Sequence, residues 1–516
     1  MTTSSLHPLM LLLLTACLTA GVSGRLTGLK TTKTRTVYPG QDHLGVTGRG
    51  QHKPIPRGVV EDSAYWKQQM QAELQAQLEK EPIVRQAKNV ILFLGDGTSI
   101  STLTAARLLK GQRSGNFEHE VMAYEKFPYS ALIKTYSADK VVTDSAASAT
   151  AYLSGVKTNQ EIIGVDANVL LGDCDAMNVQ DFHTRSILED FQDAGRSTGI
   201  VTVTRVTHAS PAGAFAHTAE RHWESDTDVY YDYVDTELCD DIAEQLVLGD
   251  SGSKIKVILG GGRQKLTPQA REDPEGGKSG KRRDGKDLIQ TWLDHKALLG
   301  NASYVWNRDD LLAVDTGSTD YLMGKLIVLQ RRINDQCYLL TLCVEGGNID
   351  LAHHLNQHRS ALEEALEFEK AIELAVSMTD PQDTLIVVTA DHSQPMVING
   401  YQERGSDVLG LGDYSDVDGL AFTTLLYTNG PGYRTQVDGA RPDPALEDYS
   451  APHYVAAATV PMEQSNHAGE DVALYAMGPH AHLFTGIHEN AFIPHALRYA
   501  ACVGEGLQFC SSSLEE

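Results

Sequence analysis

The feature that most constrains this chain is a series of short apolar runs, each ending in polar side chains. They are NVILFLGDG from residue 89, TGIVTVT from 198, IKVILGGG from 255, YLLTLCVEGGNID from 338 and TLIVVTADH from 384. Such runs, rich in branched residues and without alternation, read as strands buried on both faces, the habit of parallel sheets. Helical segments fall between them, including the long HRSALEEALEFEKAIELAVSM. Strands alternating with helices predict an α/β fold, a three-layer, doubly wound and mostly parallel sheet. Ligands of such sheets gather at the carboxyl ends of the strands, so the polar residues closing each run are where chemistry is expected.

A further stretch, VVTDSAASATAY over residues 141–152, sets Ser145 between Asp144 and small residues. It reads as a helix N-terminus capped by Asp144 or Ser145 and packed through its alanines. It also reads as a nucleophile, which a serine becomes only when a base or a metal lowers its pKa. No G-x-S-x-G elbow surrounds it, which argues against an α/β-hydrolase. The strand ends offer an activator: Asp96; His208 and Ser210; Glu345, Asp350, His353 and His354; Asp391 and His392; then His467 in NHAGED. Singly, a strand-end aspartate caps a helix and a lone histidine is a satisfied surface or core residue. Together they are carboxylates and imidazoles without thiolates, which suit catalytic zinc with an oxygen-rich neighbour for magnesium. Asp350 and His354, four apart, share one helix face. Two ions roughly 3.5–4 Å apart can hold the attacking and leaving oxygens of a phosphoryl transfer. Arg221, otherwise a surface ion-pair residue, offers the planar guanidinium that matches two phosphate oxygens.

A chain of 516 residues, 41% of them hydrophobic, can form one large α/β domain with insertions or two to three smaller ones. Residues 1–24 read as a secretory signal peptide and residues 25–60 as a basic, flexible arm. Residues 61–82 predict a helix whose Trp66, Met70, Leu74 and Leu78 form a stripe for a core or a partner subunit, ended by Pro82. Residues 267–286 read as a surface excursion, 400–460 as an inserted subdomain and 504–516 as a tail. With Cys17 leaving in the signal peptide, six of the seven cysteines remain, consistent with an oxidising compartment. Cys502 and Cys510 are close enough to close a small loop, Cys174 and Cys239 can tie two excursions together, and Cys337 and Cys343 read as buried thiols. Asn301, in NAS, is the glycosylation candidate. The absence of a further membrane-spanning run and of a hydrophobic C-terminal tail predicts a secreted protein with no transmembrane segment or lipid anchor. The net charge of −25 argues against a nucleic-acid partner and means that a phosphate-handling site must carry its own cations.

Taken together, FLGDG, TDSAASATAYLSGVKTN, TRVTHASPAGAFAHTAER, VILGGGR, VEGGNIDLAHH, TADHS and HAGEDVALYAMGP span most of residues 89–502 in one order. In these motifs the sequence resembles the animal alkaline phosphatases, metal-dependent phosphomonoesterases that are secreted or membrane-anchored. The resemblance implies hydrolysis of phosphate monoesters at alkaline pH through a phosphoserine at Ser145, with Asp144 beside it and Arg221 holding the phosphate. It implies two Zn2+, one on Asp350, His354 and His467, the other on Asp391, His392 and Asp96. It implies one Mg2+ on Asp96, Ser210 and Glu345, with His208 nearby. It further implies a homodimer contacted through the helix of residues 61–82, a catalytic domain of residues 83–399 and 461–503, and a crown-like insertion at 400–460. Its disulfides would be Cys174 with Cys239 and Cys502 with Cys510.

The sequence also departs from the family. Leu351 stands where animal members have a histidine, Asn348 replaces an arginine, and Gln394 replaces a second histidine after ADHS. Loss of a polar group at Leu351 is expected to loosen phosphate or magnesium binding. The stretch before Glu345 is much shorter than the family's and lacks most of its calcium site. Glu275 is thereby left without partner ligands, so no calcium is expected. Lost packing beside Glu345 is expected to cost activity. A second enzyme reading is action on sulfate esters or phosphodiesters, against which Arg221 and SAASATA favour monoesters. A reading from another class is a secreted binding protein of the same fold with weak or no turnover.

Overall fold

The structure is a computed structural model that describes residues 61–276, 279–325, 340–436 and 438–510. The expected signal peptide (1–24), the arm (25–60), Cys337 and residues 511–516 lie outside the described residues. The strands are β1 (Asn89–Leu94), β2 (Tyr129–Lys134), β3 (Ser197–Arg205), β4 (Val257–Gly261), β5 (Ala302–Val305), β6 (Tyr321–Gly324), β7 (Leu340–Glu345) and β8 (Thr384–Thr389). They continue with β9 (Met396–Ile398), β10 (Leu411–Tyr414), β11 (Ala421–Thr423), β12 (Leu425–Gly430), β13 (Ala458–Pro461), β14 (Val472–Met477) and β15 (Gly486–Glu489). Six helices matter most: α1 (Ser63–Leu78), α2 (Ile100–Ser114), α3 (Ser145–Ser154), α4 (Asn348–His354), α5 (His358–Met378) and α6 (Phe492–Ala501).

Ten strands form one sheet in the order β15-β2-β14-β8-β1-β7-β3-β4-β6-β5. Each pairing is parallel except those of β14, which runs antiparallel to β2 and β8. Side chains alternate across a strand, and β1 shows the result. Val90, Leu92 and Leu94 join one core, while Ile91 and Phe93 join the core on the opposite face. Burying each of these side chains contributes roughly 1.5–3 kcal/mol. The first core is covered by α3 and α6, the second by α2 and α5, where Phe368 meets Phe93 edge-on at 5.9 Å. This is the three-layer α/β architecture that the run pattern predicts.

Helix α1 starts at Asp62, whose carboxylate accepts from the amides of Ala64 and Tyr65, both at 2.9 Å. None of its residues is buried, and its stripe runs from Trp66, 43% exposed, to Leu78, 72% exposed, so it does not pack on the core. Within residues 400–460 the chain forms a β10–β11 pair, while β12 lies between β9 and β13 in a three-stranded sheet; both are separate from the main sheet. The stretch 267–286 is mostly exposed, as expected of a surface excursion, but a buried side chain anchors it. Arg282 within it is fully buried and is held by Asp241 and Asp284.

Cys174 and Cys239 form the expected disulfide, with Cα atoms 5.8 Å apart. Cys502 caps α6 in the left-handed conformation, and its thiol lies against that of Cys510, the two being adjacent but not bonded to each other; the Cys510 thiol also donates to the Tyr499 carbonyl at 3.6 Å. Cys343 is a buried thiol, as anticipated.

Candidate active site

Four neighbouring strands, β8, β1, β7 and β3, explain why residues far apart in sequence converge. Asp391 and His392 follow β8, Asp96 follows β1, Glu345 ends β7, and His208 and Ser210 follow β3. Asp350 and His354 come from α4, directly after β7, and His467 from the loop before β14, the other neighbour of β8. The turn after β1 is tight: Gly97 has φ +64° and donates its amide to Asp391 Oδ1 at 3.0 Å. A Cβ there would stand 2.8 Å from Asp350 Oδ1, so the site requires glycine at this position.

Ser145 is the first residue of α3 and is buried. Its Oγ lies 3.2 Å from His392 Nε2. Asp144 is the N-cap of that helix, accepting from the amides of Ala146 and Ala147 at 3.2 and 3.1 Å. The same carboxylate accepts from Arg221 Nη1 at 2.9 Å and from the Glu161 amide at 3.1 Å. The stretch is therefore the capped helix start expected, with the Ser145 hydroxyl beside an imidazole. Arg221 Nη2 donates to His208 Nε2 at 3.2 Å. Burial, and then the Arg221 charge, push His208 down to about 3, so its imidazole is neutral and accepts that bond.

The carboxylates and imidazoles form adjoining sets. Asp350 Oδ2 is 3.1 Å from His354 Nε2, which is 3.2 Å from His467 Nε2, and His467 is 3.6 Å from Asp350 Oδ1. His392 Nε2 is 3.1 Å from Asp391 Oδ2 and 3.5 Å from Asp96 Oδ1, and its ring stacks on His467 at 3.5 Å. Ser210 Oγ is 3.4 Å from Asp96 Oδ2. Glu345 accepts from the hydroxyls of Thr202 and Thr204. Ligand atoms lie within 4.8 Å of one another in each of the sets Asp350/His392/His467, Asp96/Asp391/His392 and Asp96/His208/Glu345.

The electrostatics call for cations. Asp96, Glu345, Asp350 and Asp391 are all buried. Burial, reinforced by the charges of Asp391 and Asp350, raises Asp96 well above the usual carboxylate range, and burial carries Glu345 to about 7. Burial would also raise Asp350 and Asp391, but His354 and His392 respectively hold them low. Asp96 Oδ1, Asp391 Oδ2 and Glu345 Oε1 are buried without a hydrogen-bond partner. Buried charges without partners are costly. Oxygen and imidazole donors with unused lone pairs, packed this closely, fit divalent metal ions.

All eight expected ligands thus come together around Ser145 and Arg221. His353, singled out with them in the sequence, does not join: its ring bonds Thr102 Oγ1 at 3.0 Å and Tyr427 OH at 2.7 Å, tying α4 to β12. Leu351 is 45% exposed, and Asn348 reaches Glu364 at 3.5 Å. Gln394, noted only as a departure, is buried, and its Nε2 donates to Asp350 Oδ1. The roles of Thr202 and Thr204 were missed, although alternate threonines closing TGIVTVT were the available signal. Asn301 is exposed, beside β5 at the far edge of the sheet, and donates to the Ser318 carbonyl at 2.7 Å. Glu275 is held by Lys325 Nζ, 2.8 Å from each oxygen, and by Arg263 Nη2 at 2.7 Å. With its charge met by protein cations, it does not fit a calcium site.

Comparison with known proteins agrees with this geometry. The alkaline phosphatase family profile matches residues 87–328 and 327–503, the two matches meeting in the shortened stretch before Glu345. The tissue-nonspecific alkaline phosphatase of Gallus gallus is 44% identical over 484 residues, covering 88% of this chain and 92% of that protein. The Homo sapiens tissue-nonspecific isozyme is 41% identical over 482 residues, covering 87% and 90%. A membrane-bound alkaline phosphatase of Bombyx mori is 39% identical over 499 residues, covering 90% of each. Among solved structures, Thermus thermophilus alkaline phosphatase shares the fold with a TM-score of 0.54 at 20% identity, over 85% of this chain and 98% of that one. The chain belongs to the alkaline phosphatase family, and with it to the phosphoric monoester hydrolases.

Proposed function

We propose that the chain hydrolyses phosphate monoesters through a covalent phosphoserine on Ser145, at alkaline pH, in a site that takes two Zn2+ and one Mg2+. The observation that carries this reading is the placement of a buried serine hydroxyl 3.2 Å from His392, between two ligand sets, with Arg221 pinned to the adjacent Asp144. Asp350, His354 and His467 would hold one zinc and Asp96, Asp391 and His392 the other. Asp96, Ser210 and Glu345, beside His208, would hold the magnesium. When bound, the ions supply the positive charge that lowers the serine pKa and offsets charge on the leaving oxygen.

The rest of the chemistry belongs to the chain. Arg221 presents its planar fork to two phosphate oxygens. The Ser145 oxygen bonds to phosphorus as the ester P–O bond breaks and the alcohol departs. Water then bonds to phosphorus, the serine P–O bond breaks, a proton returns to the Ser145 oxygen and inorganic phosphate leaves. The first turn of α3 adds a favourable dipole for the anion.

The exposed stripe of α1 supports a homodimer in which this helix reaches a second copy. The leader sequence, the Cys174–Cys239 bond and the exposed Asn301 support a secreted glycoprotein. The two small sheets, which stand outside the main sheet but pack Leu425 and Tyr427 into its second core, support a crown-like subdomain at residues 400–460 beside a catalytic α/β domain of residues 83–399 and 461–503. No observation favours the binding-protein alternative. Glu345 keeps register with Leu94 of β1 and Thr202 of β3, so β7 still delivers it despite the shortened stretch. The test is turnover of p-nitrophenyl phosphate by the metal-loaded protein, with phosphate trapped on the serine by acid quench. Ser145→Ala should abolish both signals; turnover without a trapped phosphoserine would overturn the mechanism.

A further inference from the structure

Away from the serine, β3 and β4 shift register between Val201 and Arg205. Beside that shift, at the carboxyl ends of β3, β4 and β6, lies a cavity of about 480 Å³. None of the expected zinc or magnesium ligands lines it, although Glu275, left over from the family's calcium site, does. Five basic side chains do: Arg205, Arg263, Lys265, Lys281 and Lys325. In a chain of net charge −25, so local a concentration of cations needs a reason.

The acids at its wall do not exhaust these cations. Glu224 is taken by Arg205 at 2.7 Å and by Thr207, Asp273 by Arg263, and Glu275 by Arg263 and Lys325. Lys265 pairs with Asp228 at 2.6 Å. Arg263 spends Nε and Nη2 on these carboxylates and also meets the Tyr304 hydroxyl, while its buried Nη1 has no carboxylate partner. The ammonium of Lys281 forms no ion pair among the described residues. The natural complement of a buried guanidinium N–H that no carboxylate meets is an oxyanion. The cavity also has the volume expected of a small-molecule site.

We infer that this cavity is a second anion site, binding a phosphate group, either free or carried on an organic ligand, through Arg263 with Arg205 and Lys281 around it. It is separate from Ser145 and does not depend on the phosphoserine reading. The test is equilibrium dialysis of the metal-loaded enzyme against labelled inorganic phosphate at low ionic strength. Two equivalents per chain are expected. Arg263→Gln should remove the second and keep the first. Lys281→Glu, an exposed position that leaves the fold intact, should weaken the second by about tenfold or more with p-nitrophenyl phosphate turnover unchanged. One equivalent in the unmodified enzyme, or two that persist in Lys281→Glu, would overturn the proposal. Repeating the dialysis with phenylphosphonate, which is not hydrolysed, separates the sources. Tighter second-site binding than phosphate identifies an organic ligand, and weaker binding identifies the free anion.

Discussion

Two regions at the same edge of the sheet solve the problem of buried charge in opposite ways. Around Ser145, three of four buried carboxylates, Asp96, Glu345 and Asp391, keep an oxygen without a hydrogen bond, and the imidazoles of His354 and His392 hold down only Asp350 and Asp391. Around Gly260 and Arg263, every wall carboxylate is met by an arginine or lysine, and it is a guanidinium nitrogen that no carboxylate meets. The first arrangement asks for cations from outside and the second for an anion. A cluster of acids is therefore no guide to a metal until the protein's own cations have been counted.

The contrast can be broken most severely at the nucleophile. Ser145→Ala should reduce turnover about 10³-fold or more while leaving the fold intact, read by steady-state kinetics and circular dichroism. Next in size is Gln394→Ala. If this amide orients Asp350, zinc affinity should fall about 10–100-fold, measured by chelator competition, with Gln394→His restoring part of it; unchanged affinity would make Gln394 mere packing.

A histidine outside both regions shows what burial does alone. His358 is buried with neither ring nitrogen hydrogen-bonded, and burial, aided by Arg359, lowers it from 6.5 to about 4. The unfolded chain then binds the extra proton, so this contribution to stability is complete above pH 6.5 and is lost as pH falls towards 4. The loss amounts to at most about 3 kcal/mol. His358→Phe should flatten the pH dependence of the urea midpoint across that window. The smallest effect belongs to Glu275. Calcium or its selective chelator should leave the melting temperature unchanged, and Lys325→Met should cost no more than about 1 kcal/mol because the pair is partly exposed.

Much of this was legible in the sequence because strand periodicity fixes where each run ends. Asp96, Glu345, Asp391 and His392 close apolar runs, and the sheet order then makes them neighbours. What was not legible depends on partners contributed from afar. Gln394 looked like a loss until Asp350 was seen to accept its hydrogen bond, and His353 looked like a ligand until Thr102 and Tyr427 claimed both its nitrogens. Glu275 looked abandoned until Lys325 and Arg263 were found on it.

Asp144 binds the start of α3, the guanidinium of Arg221 and the amide of Glu161 with one side chain. Attacking atom and phosphate grip are thereby cast as a single rigid casting, with no adjustable joint between them. Preference for one alcohol over another must then be written into the surfaces that meet the departing half of the ester. Variation among relatives that act on different compounds should accumulate there and spare the aspartate.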